Sequence, residues 1–342
     1  MSQNINVFLL ISGVVITNSI QHITFPILVG FFNSIYFILL ITTLEGCFNF
    51  GICMLILNKG RIVNPKNKMT IFYTALFNTL MSFCFIYSVN PIRTPVVIQS
   101  IFLGLSIIPS VILTKYLLKK NIKYIKKYTI MSFILLFASV LIAIIPLFYH
   151  GNQIPSIWSV CYFFGVIFMS VTNILQEKYI MDIQDNSLLS KVSLAFYINV
   201  FQIINILLLS WVEIFFGYGD DPIGAFIKSA TIFFADPSKF FLIQMVIYDC
   251  LILFFISISL NVISTNYNMI LTNLTNQSVA IFFSVFPSLN HGIHHATELI
   301  VISLTLNVIS VFLWVKGEIK DKKIIEEESK INNEKIKPYG LV

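Results

Sequence analysis

The sequence predicts an all-α membrane protein: ten transmembrane helices in two inverted five-helix repeats, with an interfacial helix before span eight. Three observations lead there: the scarcity of charge, the side on which the basic residues fall, and a polar motif that occurs twice. Of 342 residues, 57% are hydrophobic and only 11% are charged, and the mean hydropathy is +0.85. A soluble domain carries about 25% charged residues, so a chain this poor in charge has lipid as its main solvent. Helices satisfy every backbone N–H and C=O within one segment, whereas a transmembrane barrel reads as alternating segments of ~10 residues. The apolar runs here are long and do not alternate.

A helical span needs roughly 17–25 mainly apolar residues. Reading between polar breaks gives 6–25, 33–57, 70–90, 94–117, 126–148, 154–176, 192–216, 240–263, 268–289 and 297–315. The N-terminal stretch lacks the positive region and small-residue cleavage site of a secretory signal, so 6–25 is expected to remain as a span. The breaks carry turn chemistry, as in Asn64-Pro65-Lys66-Asn67, His150-Gly151-Asn152 and Asp185-Asn186-Ser187. Only Arg93, Lys228 and Lys239 fall on one side of this topology, leaving 19 of the 22 Lys and Arg on the other. The positive-inside rule makes the Lys-rich side cytosolic, with both termini there. The expected organisation is a first repeat over 1–150, a second over 151–316 and a charged cytosolic tail over 317–342.

The loop at 217–239 is longer than a turn. Asp220-Asp221-Pro222 supplies an N-cap and a proline for the first helical position. Ile223, Phe226, Ile227, Ala230, Phe233 and Phe234 then recur with helical spacing before Asp236-Pro237. This predicts a helix lying in the outer interface.

The repeated motif sits in spans four and nine. Gln99-Ser100, Ser106 and Pro109 match Gln277-Ser278, Ser284 and Pro287 in spacing. Five spans separate the two, so the halves are inverted, which is a hallmark of secondary transporters. Gln99 and Ser106 share one helical face, as do Gln277 and Ser284. Pro109 and Pro287 each remove a backbone hydrogen bond and favour a kink.

Intramembrane carboxylates are functional by default. Asp249, between Tyr248 and Cys250, and Glu45 are the candidates for substrate binding or proton coupling, with Gln99, Ser106, Gln202, Gln277 and Ser284 as polar lining and Asn78, Asn173, Asn273 and Asn276 as further lining candidates. Glu177, Glu213 and Glu298 fall near span ends and read as interfacial. No Lys or Arg lies deep within a span, which disfavours strongly anionic substrates. The five cysteines lie in apolar runs and read as small hydrophobes. All five histidines fall on the non-cytosolic side; the His291-Gly-Ile-His294-His295 run has no third carboxylate or thiolate, so no metal site is expected. No nucleophile elbow, P-loop, CxxC or H-E-x-x-H occurs. The expected partners are the bilayer, a small solute and, as an open option, protons, with no cofactor, no enzyme activity and no nucleic acid.

The residues also resemble the chloroquine-resistance-transporter-like family, within the drug/metabolite transporter superfamily. The likeness rests on Thr43-Leu-Glu45-Gly-Cys-Phe-Asn49-Phe50 with Cys53-Met54, on Ile98-Gln99-Ser100 with Leu105-Ser106-Ile107, and on Val171-Thr172 with Lys178-Tyr179. Phe201-Gln202 and Asn276-Gln277 with Ala280-Ile281 add to it. The resemblance implies ten spans, a vacuolar or endolysosomal membrane, and export of amino acids, peptides or drug-like cations by alternating access. It also implies a central cavity that includes Glu45, Gln99, Gln202, Asp249 and Gln277. The cysteine pairs that some members carry before span eight are absent here. A nucleotide-sugar or phosphate-ester exchanger of the same superfamily, and a non-transporting receptor or scaffold, are the competing readings.

Overall fold

A computed structural model describes residues 9–21, 32, 34–89, 93–94, 96–118, 126–149, 157–216, 221–285 and 301–317. Among these residues all regular structure is helical. The elements are α1 (Leu9–Gln21), α2 (Ile35–Leu57), α3 (Lys68–Ser88), α4 (Val96–Leu105), α5 (Ile107–Leu117) and α6 (Lys126–Tyr149). They continue as α7 (Ile157–Ile183), α8 (Leu188–Leu208), α9 (Val212–Phe216), α10 (Pro222–Ala235), α11 (Pro237–Val285) and α12 (Val301–Gly317). By length and composition, Ile35–Leu57, Lys68–Ser88, Ile157–Ile183, Leu188–Leu208 and Lys239–Asn266 are apolar enough to cross a membrane.

The helix ends follow from local chemistry. The side chains of Ser34, Asn67, Ser187 and Asp221 accept hydrogen bonds from the amides of Phe37, Thr70, Ser190 and Gly224, capping α2, α3, α8 and α10. Asp185 reinforces the α8 cap: hydrogen bonds from Ser190 and Ser187 hold its carboxyl below the ordinary carboxylate range. After α2, Gly60 takes φ +80 and returns its N–H to the carbonyl of Leu55 at 2.7 Å. Pro222 opens α10 at its first turn, as the sequence predicts.

Two interruptions shape the middle of the chain. Pro109 cannot donate to the carbonyl of Leu105, and the ladder breaks at Ser106, between α4 and α5. Ser106 N–H reaches back only to Leu103, at 3.1 Å. The second break is at Ser264, an extended residue (φ −172, ψ 122) inside α11. It divides α11 into a first arm, 237–263, and a second arm, 265–285. The two arms run antiparallel. On α1, Gln21 donates to Cys250 Sγ at 3.1 Å, and Asn18, less than one turn away, donates to the carbonyl of Thr272 at 3.5 Å. Cys250 and Thr272 could not both reach that one stretch of α1 if α11 were straight.

Packing is antiparallel elsewhere too. α3 lies along α7 and α2 along α8. Along α5 and the second arm of α11, Ser110 bonds Asn266 at 2.9 Å and the carbonyl of Gly104, just before the break, accepts from Asn273 at 3.4 Å. Ser132 and Ser310 bond each other across α6 and α12 at 2.9 Å, and Ser303 donates to the carbonyl of Ser139. Close approach depends on small residues. A Cβ on Gly165 would stand 2.8 Å from the Phe85 ring and 3.0 Å from Cys84 Cβ, and one on Gly46 would stand 2.6 Å from Asn199 Oδ1.

α10 divides its predicted apolar stripe between two surfaces. Phe226 and Phe233 pack on Phe37, with ring centroids 5.4 Å and 5.8 Å away. Ile223, Ile227 and Phe234 stay exposed. Large exposed apolar side chains also cover the outer faces of the long helices, among them Phe48, Ile56, Phe137, Leu208 and Phe241. So many large apolar side chains on the surface suit a protein whose surroundings are apolar.

Replacing Gly165 by Leu is expected to push α3 from α7 and destabilise the fold by about 1–3 kcal/mol. The measurement is the thermal unfolding midpoint of the detergent-solubilised protein, which should fall.

Candidate functional site

The carboxylates that the sequence singles out fall on helices that meet. Gly46 allows α2 to approach both α8, at Asn199, and the first arm of α11, at Leu251. Glu45 stands beside it, half-buried, and its Oε1 accepts from Gln244 Nε2 at 2.7 Å. Three residues along α8 from Asn199, buried Gln202 accepts through Oε1 from Asn78 Nδ2 on α3, at 2.8 Å. Glu45 and Gln202 are thus joined through the packing of α2 on α8, with Gln244 and Asn78 as their hydrogen-bond donors.

Asp249 lies further along the same arm of α11. It is 8% exposed, and its Oδ2 has no hydrogen-bond partner among the described residues. A buried carboxylate oxygen without a donor is stabilised by taking up a proton or a cationic ligand. Asp249 differs in this from Glu45, whose Oε1 already has a donor.

The other predicted site residues have distinct placements. Gln99 is buried, and its Nε2 donates to the carbonyls of Val89 and Thr94 at 2.8 Å and 2.7 Å, pinning the connection between α3 and α4. Ser106 is the break residue itself; its carbonyl accepts from Ser170 Oγ on α7 at 3.2 Å. Pro109 is the cause of that break. Gln277 and Ser284 belong to the second arm of α11 by backbone, and their side chains are outside the described set. Pro287, Glu298 and the five histidines lie outside the described residues.

A polar cluster surrounds the Ser264 break; of its members the sequence singles out Asn173 as lining and Glu177 as interfacial. Glu177, expected at an interface, is 3% exposed because α7 continues to Ile183. Its Oε2 accepts from the backbone N–H of Thr265 at 3.0 Å, capping the second arm of α11. Asn261 Nδ2 donates to Asn173 Oδ1 at 3.0 Å and to Gln176 Oε1 at 2.7 Å, and Asn268 donates to Asn261 Oδ1 at 2.8 Å. Thr265 Oγ1 bonds the carbonyl of Asn173 at 3.2 Å. Glu213, also expected at an interface, is buried at the opposite end of α3, where Tyr87 Oη donates to it. There Arg93 donates to the carbonyl of Tyr87 at 2.7 Å and lies over the Trp158 ring at 3.9 Å. Among the described residues no group of three or more His, Cys, Asp or Glu is placed to hold a metal ion.

This arrangement defines an all-α protein whose long apolar helices are compatible with a membrane and enclose buried carboxylates and amides. No protein-family model matches the chain, and no curated protein does. A solved structure does: a crystal structure, described only as that of a protein, aligns over 91% of this chain and 96% of its own length. The TM-score is 0.55 and the identity 11%, so the likeness shows a shared fold and nothing of activity.

Glu177→Ala is expected to uncap the second arm of α11 and cost about 1.5–3 kcal/mol, the range for hydrogen bonds to charged groups. Glu177→Gln keeps an acceptor and should cost less. Unfolding midpoints in detergent, together with faster amide exchange at Thr265 in the alanine variant, check the assignment.

Proposed function

We propose that this chain is a multi-pass secondary transporter of ten spans in two inverted halves. It moves small cationic, zwitterionic or neutral solutes, such as amino acids, peptides or drug-like cations, by alternating access. The observation that carries the proposal is a single offset found twice. Gln99 and Gln277 of the repeated motif are 178 residues apart, and so are Ser132 and Ser310, which bond each other across α6 and α12. In an inverted repeat, equivalent residues meet where the pseudo-two-fold axis passes between equivalent spans. The offset read from spans four and nine thus recurs in the contact between spans five and ten.

Further geometry supports the reading. The register of Ser110 with Asn266 and of Gly104 with Asn273, continued along both helices, sets the backbone of position 99 nearly level with position 277. The antiparallel arms of α11 suit spans eight and nine, and the Ser106 and Ser264 breaks suit the discontinuous helices of transporter sites. Asp249, with Glu45 near the junction of α2, α8 and α11, is the group we assign to proton or cation coupling. Gln99, Ser106, Gln202, Gln277 and Ser284 are the polar lining and Pro109 and Pro287 the kinks. The resemblance to the chloroquine-resistance-transporter-like family supports this class and points to a vacuolar or endolysosomal membrane with both termini cytosolic.

Uptake into proteoliposomes under an imposed pH gradient tests the proposal with a panel of amino acids, peptides and organic cations. Accumulation of at least one class is expected, and accumulation of none sinks it. Asp249→Asn and Glu45→Gln should flatten the pH dependence of uptake while leaving the unfolding midpoint near that of the parent. For topology, tags at the two ends should both be read from the cytosol; opposite sides mean an odd number of spans.

A further inference from the structure

The last turn of α3 and the first turn of α7 bring two thiols together. Cys84 lies four residues before the end of α3 at Ser88, and Cys161 lies four residues after the start of α7 at Ile157. Cys161 Sγ points at the backbone of the other cysteine, 3.9 Å from the carbonyl of Cys84. One turn further along α7, the missing side chain of Gly165 lets the backbones close up, since a Cβ there would sit 3.0 Å from Cys84 Cβ. Both cysteines are half-buried and free. The other three are placed differently: Cys47 and Cys53 lie on α2, and Cys250 accepts from Gln21.

We propose that Cys84 and Cys161 are a redox-active pair whose disulfide locks α3 to α7. This rests on the transporter reading, in which the two helices belong to opposite halves and meet at the non-cytosolic end. Disulfides persist on that side of a membrane and not in the cytosol. A disulfide holds its Cα atoms within about 7 Å, so the bond forbids the two halves from separating at this end. The oxidant is a small-molecule disulfide, RSSR. Cys161, one turn from Trp158, over whose ring the Arg93 guanidinium lies, attacks one of its sulfurs as the thiolate. One RS⁻ leaves and takes up the Cys161 proton as RSH. Cys84 then displaces the second RS⁻, which leaves with the Cys84 proton. Two protein thiols and RSSR give one protein disulfide and two RSH.

The test uses the full chain in proteoliposomes, treated with oxidised glutathione, alkylated, digested and read by mass spectrometry. A peptide pair linked through Cys84 and Cys161 is expected, with loss of uptake that dithiothreitol restores. Cys84→Ser and Cys161→Ser should each keep uptake under oxidation, whereas Cys53→Ser should behave as the parent. Absence of the linked pair, or a linked protein with unchanged uptake, overturns the lock. If the reduced protein takes up nothing, the transporter reading is what fails. The linked peptide and a higher unfolding midpoint on oxidation then still decide the disulfide, and an unshifted midpoint in a linked protein overturns the constraint.

Discussion

The constraint on which this structure depends is that backbone hydrogen bonds in an apolar setting must be met within the chain. Continuous helices meet it locally, which is why all the described regular structure is helical. It becomes demanding where the ladder breaks, and there buried polar side chains from a neighbouring helix meet the backbone. At Ser264 the ladder of α11 is interrupted, and a carboxylate from α7 takes the amide of Thr265. At Ser106 the carbonyl accepts from Ser170, also on α7. α7 therefore serves both interruptions. Ser170, Asn173 and Glu177 on its buried face carry that duty.

The parts of the fold legible in the sequence are those fixed by local chemistry. Apolar runs and their polar breaks locate most of the described helices to within a few residues, but α7 runs on to Ile183 where 176 was expected, and α8 ends at Leu208 where 216 was expected. Asp221-Pro222 marks the start of α10, and Pro109 marks the interruption before α5, because each acts on its own backbone. The cluster around Glu177 was not legible, for the opposite reason. Its bonds between α7 and α11 join residues 85 to 92 apart in the chain, and no spacing rule reaches that far. Glu177, Lys178 and Asp182 together look like the wet end of a span, yet Glu177 faces α11 and α7 continues past it. Ser264 carries no glycine or proline signal; its break is read only from the polar residues that flank it.

The candidate site shows the same division. Glu45 and Asp249 stand out in sequence because carboxylates are rare in apolar runs. The partner that sets Glu45 apart, Gln244, is 199 residues away and looked like any other amide. Gln99 drew attention through the motif, and the structure gives its amide a definite task in tying the connection between α3 and α4. One residue type thus serves as tether and as candidate lining, and only the neighbours tell which.

The seat of α10 on the start of α2 has a consequence for biogenesis. The buried amide of Ser34 donates to Ser229 Oγ at 3.0 Å, and the two residues are 195 positions apart. At a synthesis rate of about 5–20 residues per second, α10 emerges roughly 10–40 s after α2. Throughout that interval Phe37 lacks the Phe226 and Phe233 rings and the Ser34 amide lacks its hydroxyl acceptor. The early half of this protein cannot reach its final packing until the late half is made, so a chain interrupted between them would leave an unfinished surface for quality control to recognise.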